Sequence, residues 1–176
     1  ELDSDGEVLN IHYGDVLIKF GSILDCNDKD IPHIASGHES QNYQYLQNGD
    51  IIIADTAEDA SVGKATEIFG IKDEMILAGL HTIPCRPKIK FMPKFLGYYI
   101  NSEEYHKQIL PLIQGVKVSS VSKSNIVKTI IEIPCMEEQV KIAEFLSNID
   151  AKIEVEKAIL EDWKELRKGL LQQMFV

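Results

Sequence analysis

Apolar side chains return at alternating steps of four and three through the last forty positions of the chain. The series runs Ile142, Leu146, Ile149, Ile153, Glu156, Leu160, Trp163, Arg167, Leu170, Met174, and eight of its ten members are apolar. That spacing is the seam of a coiled coil. No proline follows Pro134 and no glycine intervenes before Gly169, so the pattern predicts an unbroken helix over 137–175. At helical rise this is a rod of about 58 Å. Packing on the chain's own body is the ordinary use of such a face. A body made of residues 1–133 is too small to cover the whole rod, so the seam predicts a partner helix. Its polar members Glu156 and Arg167 are placed to fix register or partner choice.

Upstream the pattern shortens. Val16-Leu17-Ile18-Lys19-Phe20 after the Gly14-Asp15 turn predicts a strand,. Ile31-Pro32-His33-Ile34 is extended, because a proline pushes its predecessor out of the helical region. Asp50-Ile51-Ile52-Ile53-Ala54, launched from Asn48-Gly49, is a continuous apolar run and predicts a strand buried on both faces,. Residues 55–64 read as a polar loop and Ala65 to Phe69 as the return strand. Met75 to Leu80 and His81 to Pro87 predict two more short strands. Pro93 to Leu110 predicts a helix with a fresh cap at Ser102. Gln114 to Asn125 is a serine-rich loop without acidic residues, and Ile126 to Ile133 alternates toward a strand that stops at Pro134. The expected fold is therefore α+β, with mixed and mostly antiparallel strands and one or two short helices over 1–134. A long C-terminal coiled-coil helix occupies 135–176.

Composition adds a class and a compartment. A hydrophobic fraction of 44% and a charged fraction of 26% fit a folded, water-soluble chain. No apolar run reaches the length of a membrane span, and the acidic start Glu1-Leu2-Asp3-Ser4-Asp5 is the wrong flank for a signal peptide,. The missing initiator Met points to processing or trimming. Cys26, Cys85 and Cys135 form no CxxC, and reduced thiols in the cytoplasm are the expectation. The net charge of −10 argues against a nucleic-acid partner until it is divided along the chain. Residues 1–80 carry 4 basic and 16 acidic side chains, residues 81–130 carry 8 and 2, and residues 131–176 carry 6 and 10. The middle third is strongly basic, and contacts within a Debye length of about 8–10 Å feel that local patch rather than the total. Charge alone leaves open whether these lysines bind a polyanion or decorate a solvated face.

Catalytic signals fail one by one. His33 and His38 with Glu39 lack a further metal ligand in sequence,, although a hydrolase built on them remains the least favoured alternative. Gly63-Lys64-Ala65-Thr66 resembles the end of a phosphate-binding loop, but Glu58 stands where that loop needs its first glycine,. There is no GxSxG elbow and no dinucleotide fingerprint,. No catalytic residue, cofactor or metal is expected. A binding face remains. Lys107, Lys117, Lys123 and Lys128 sit in or beside a loop offering Gln114, Ser119, Ser120, Ser122, Ser124 and Asn125. Arg86, Lys88, Lys90 and Lys94 follow His81 and Thr82. Taken singly, each is explained as a surface lysine or a turn serine. Taken together they are the mixture that contacts phosphate oxygens and base edges. The expected nucleic-acid contacts are Thr56, Lys64, His81, Arg86, Lys88, Lys117, Ser119, Ser120, Ser122 and Lys123. The lysines position the backbone, while Arg86, His81 and the serines read edges.

Pro134-Cys135-Met136-Glu137-Glu138-Gln139-Val140-Lys141-Ile142-Ala143 resembles the P-x-x-E-E-Q-x-x-I-A signature opening the conserved helix of specificity subunits from type I restriction-modification systems. Leu166 to Phe175 resembles the closing segment of the same helix. Asn48 to Ala54 and Gly115 to Pro134 resemble the family's target recognition domain, and the likeness loosens over the first forty-five residues. The resemblance implies a non-catalytic DNA-recognition subunit with a target recognition domain over 1–134 and a conserved helix over 135–176. That family usually carries two such domains and two antiparallel helices. With one of each, this chain would be a half subunit, natural or cut from a longer one. It would dimerise through the helix seam at Ile142, Leu146, Ile149, Ile153, Leu160, Trp163, Leu170 and Met174 to read a bipartite double-stranded target. Its partners would be methyltransferase subunits, which supply cofactor and base chemistry, with the restriction subunit a further candidate. A helix-borne scaffold whose body binds no DNA is the competing reading.

Overall fold

The structure is a computed structural model, and it describes residues 2–3, 7–27, 30–34, 44–115 and 117–175. Its centre is β5 (Ile51–Ala54), buried along its whole length. Side chains alternate across a strand, and here the alternation feeds two cores. Ile51 and Ile53 join Ala65, Ile83, Phe95, Leu96, Tyr105 and Ile109 on one side. Ile52 and Ala54 join Ile11, Val16, Phe20, Leu24, Ile68 and Ile76 on the other. This is why the run is apolar at every position.

Around it, β3 (Ile23–Asp25), β7 (Ala65–Phe69), β5 and β9 (Thr82–Cys85) form one sheet in that order. β5 is antiparallel to both neighbours, and β3 runs parallel to β7. A second sheet orders β1 (Leu2–Asp3), β4 (His33–Ile34), β2 (Val8–Ile11) and β8 (Met75–Ala78). A third pairs β6 (Thr56–Ala57) antiparallel with β10 (Ser119–Ser120). Among the described residues five of the strand pairings are antiparallel and two parallel, in line with the mixed, mostly antiparallel expectation.

Two expected strands are corrected. Residues Asp15–Lys19 form a π-helical turn. Asp15 Oδ2 accepts the His12 N–H at 3.0 Å, and the Phe20 N–H reaches back to the Asp15 carbonyl at 2.8 Å. A strand would put residues 16, 18 and 20 on one face. The turn instead buries Val16 and Phe20 and leaves Ile18 88% exposed. Ile126 to Ile133 is also no strand. α3 (Lys123–Ile126) takes its start, and side chains satisfy the rest. Gln108 bonds both the N–H and the carbonyl of Ile130, and the Tyr99 hydroxyl accepts the Glu132 N–H at 2.9 Å.

The expected Pro93–Leu110 helix is divided into α1 (Phe95–Ile100) and α2 (Glu103–Ile109). Ser102 makes the division, its hydroxyl accepting the Tyr105 N–H at 3.2 Å. Glu67 of β7 reaches the N-terminus of α1, where its carboxylate accepts the Lys94 and Gly97 N–H groups at 2.7 and 2.9 Å. Gly97 permits this approach, since a Cβ there would lie 2.3 Å from the Ser22 carbonyl oxygen.

The long helix α4 spans Met136–Met174. Gln139 locks it to the body. Its Oε1 accepts the Met92 N–H at 2.9 Å and its Nε2 donates to the Pro134 carbonyl at 3.0 Å. Ala143 is buried one turn on, and the Tyr98 hydroxyl donates to Asp150 Oδ2 at 2.7 Å. Beyond Asp150 the helix leaves the body, and residues 151–175 are exposed except Gly169, which is half-buried. No helix among the described residues is long and apolar enough to cross a membrane.

Candidate nucleic-acid interface

One end of the body gathers residues from four separate stretches. At the β8–β9 tip, His81 holds a left-handed backbone with φ of 56°, a conformation that non-glycine residues adopt at a cost. Three contacts hold it there. Its carbonyl accepts the Asp55 N–H at 3.1 Å. Its Nδ1 lies 3.3 Å from Asp55 Oδ1 and 3.2 Å from Thr56 Oγ1. The edge of the Tyr13 ring meets its imidazole at a centroid distance of 5.5 Å. The Thr56 hydroxyl itself donates to Asp55 Oδ1 at 2.7 Å.

Beside Thr56 lies Ser120, its partner across the β6–β10 pair, and Ser119 faces Ala57. The two serines close a hairpin with Gln114, which exchanges both backbone bonds with Ser120 at 2.8 and 2.9 Å. Its turn contains Gly115 at φ of 106°, where a Cβ would lie 2.0 Å from the Val118 carbonyl oxygen. Exposed Lys117 therefore rises from a turn that only glycine can make.

The expected contacts thus fall into groups. Thr56, His81 and Ser120 are brought together, with Lys117 on the same hairpin, while Ser119 stands opposite buried Ala57 on the other face of the pair,. Lys123 opens α3, close enough to Cys85 to act on its thiol. Burial holds that thiol above its ordinary value and Lys123 pulls against it. Arg86 and Lys88 lie beyond the other end of β9. Among the described residues, the side chains of exposed Lys88, Lys117 and Lys123 make no hydrogen bond or ion pair.

Three further expected contacts also have structural partners. The Arg86 guanidinium grips buried Asp50 through Nε at 2.8 Å and Nη2 at 2.6 Å, and Nη2 also donates to the Tyr45 carbonyl at 3.0 Å. Asp50 holds Arg86 protonated, raising its already high pKa. The Lys64 ammonium donates to the Leu17 carbonyl at 2.7 Å and so fastens the π-helical turn. Ser122 caps α3, accepting the Asn125 N–H at 3.2 Å. Asp55 and Tyr13 were missed by sequence reasoning. Tyr13 stands in a short turn without periodicity, while Asp55 was signalled only by its place between a buried strand and Thr56.

A second concavity, of about 510 Å³, is lined by Asp50, Glu67, Phe69, Arg86, Ile89 and Phe91 among others. Its carboxylates are occupied, Asp50 by Arg86 and Glu67 by the N–H groups of α1. His38 and Glu39 lie outside the described residues, and among those described no group of three His, Cys, Asp or Glu could hold a metal.

Residues 5–164 match the model of the type I restriction modification DNA specificity domain. The chain belongs to that family. A protein of Methanocaldococcus jannaschii named "Putative type I restriction enzyme MjaX specificity subunit" is 29% identical over 130 residues, which is 72% of this chain and 30% of that protein. The chain thus spans less than a third of that relative's length. The family resemblance carried by Pro134 to Ala143 is upheld, and the domain family is one of DNA specificity.

Proposed function

We propose that this chain reads one half of a two-part DNA target and has no catalytic step of its own. Residues 1–134 act as the recognition domain and 135–176 as the pairing helix. The observation that carries the reading is the gathering of Thr56, His81 and Ser120 beside Lys117, on a domain of a DNA-specificity family. Hydroxyls and an imidazole can meet base edges, while a free ammonium meets phosphate. Lys123 and Lys88 extend the cationic surface. Arg86, Lys64 and Ser122 serve by shaping it, because each already holds a structural partner. Two copies paired through α4 would present two such faces, and methyltransferase subunits, with the restriction subunit, would supply the chemistry. The cytoplasm is where such a complex meets DNA.

The test is selection from a pool of random duplexes, by the chain alone and with methyltransferase subunits. Enrichment of a two-part motif is expected, and no enrichment in either arm overturns the reading. On a selected duplex, Lys117→Ala weakens binding to all sequences alike and flattens the salt dependence by about one unit of log slope. A loss confined to one base position would contradict a phosphate role for Lys117.

The exposed stripe on α4 favours a second reading, in which the helix recruits a protein and the body binds no DNA. Exchanging residues 1–134 for those of a relative separates the two. Unaltered methylation specificity supports the scaffold.

A further inference from the structure

The ring of His81 has its tautomer fixed by its neighbours. Thr56 Oγ1 spends its proton on Asp55 Oδ1 at 2.7 Å, so it can only accept from His81 Nδ1 at 3.2 Å. Asp55 Oδ1 faces the same nitrogen at 3.3 Å and is likewise an acceptor. Both contacts require a proton on Nδ1. In the neutral ring the remaining nitrogen, Nε2, is then a bare acceptor. It has no partner among the described residues. The side chain is 47% exposed, and Tyr13, Asp55 and the left-handed backbone hold its direction.

The geometry points to His81 Nε2 as the atom that reads one base of the target, by accepting from an exocyclic amino group. In the major groove that group is adenine N6 or cytosine N4. Guanine and thymine present acceptors on the same edge, and two acceptors facing each other repel. His81 is thus a specificity determinant, Asp55 and Thr56 are positioning residues, and the preference is set by the direction of a single proton. This rests on the DNA-reading function proposed above.

The experiment has three arms on the full chain. First, ¹⁵N shifts of the imidazole nitrogens, assigned by difference from a His81→Gly variant, report the tautomer without DNA. Where the ring carries a single proton, that proton is expected on Nδ1, and finding it on Nε2 overturns the inference. Glycine is the chosen replacement because it adopts the left-handed backbone without strain.

Second, selection from random duplexes is run on wild type, His81→Gly and Asp55→Ala. His81→Gly loses about tenfold in discrimination at one position and retains the rest of the motif. Asp55→Ala removes the acceptor that fixes the Thr56 and His81 protons, so either ring nitrogen can carry the proton and the preference at that position weakens. An unchanged preference in either variant overturns the role of His81 while the wild-type motif preserves the DNA-reading function. A wild type that enriches nothing overturns both. Third, replacing the selected adenine by purine, or cytosine by pyrimidin-2-one, removes the amino group. Wild type loses about tenfold and His81→Gly loses nothing further. Additive losses overturn the contact.

Discussion

Gln139 shows most plainly how one side chain ties sequence to assembly. It is 3% exposed in a helix whose other half lies in solvent, and its amide uses both ends: an acceptor for Met92 and a donor for Pro134. Neighbouring Glu138 has another task, receiving the Cys135 N–H at 3.4 Å to close the capping box that starts α4. The Glu-Glu-Gln run thus starts the helix and docks it. Gln139→Leu keeps the side chain's bulk but leaves the Met92 N–H and the Pro134 carbonyl without partners, at about 1–3 kcal/mol for each group that stays dry. The expected result is a lower urea midpoint together with faster hydrogen exchange at the Met92 amide. Full protection at Met92 in that variant would mean that water replaces the amide without loss.

At the scale of the element, burial and charge meet where β7 touches α1. Glu67 is 4% exposed, and the loss of water around it raises its pKa above the ordinary 4.5 despite the Gly97, Lys94 and Leu96 N–H groups that favour the carboxylate. The sign follows from proton counting. Below 4.5 Glu67 is protonated in folded and unfolded chains alike. Between 4.5 and the raised folded value, the folded chain holds a proton that the unfolded one has released. Stability from this group therefore falls as pH rises through that window and is level above it. Urea titrations of wild type and Glu67→Gln across acid and neutral pH check this. The wild type should lose ground to the variant as pH rises through the window, and a gain would show that the α1 N–H groups dominate.

The same scale shows what was legible in the sequence. β5 was, because an unbroken apolar run bounded by Asn48-Gly49 can only be buried on both faces. The Ser102 cap and α4 were legible because each rests on contacts within a few residues. The π-helical turn was not. Val16 to Phe20 has the apolar content of a strand, and its conformation is decided by Asp15 bonding back to His12 and by Lys64 reaching Leu17 from 47 positions away. The candidate interface was half legible. Its serines, His81 and Lys117 carried a compositional signal. What converges on them — Asp55, Thr56 and Tyr13 around one imidazole — is a product of strand pairing between distant segments. The Asp50 partner of Arg86 was hidden for the same reason, since it stands 36 residues away.

For the whole molecule, the open question is what covers α4. Its body-facing positions are Gln139, Ala143, Ser147 and Asp150, whereas the heptad series from Ile142 to Met174 lies on a different stripe. Ile149, Ile153, Leu160, Trp163, Leu170 and Met174 on that stripe are all exposed, Trp163 at 64% and Met174 at 73%. A fully buried Leu or Ile contributes about 1.5–3 kcal/mol over an exposed one, so six such residues left in water are a large unused driving force. A second copy of the helix, antiparallel and related by a two-fold axis, would cover them and set the spacing between two DNA-reading ends. The prediction is a dimer by sedimentation at micromolar concentration. Ile153→Glu with Leu160→Glu should shift the mass to that of a monomer and leave the folded body intact, since neither residue touches it. The selected DNA motif should then shrink from two half-sites to one. A wild-type chain that stays monomeric at high concentration, and becomes dimeric only with methyltransferase subunits present, would place those subunits rather than a second helix on the seam.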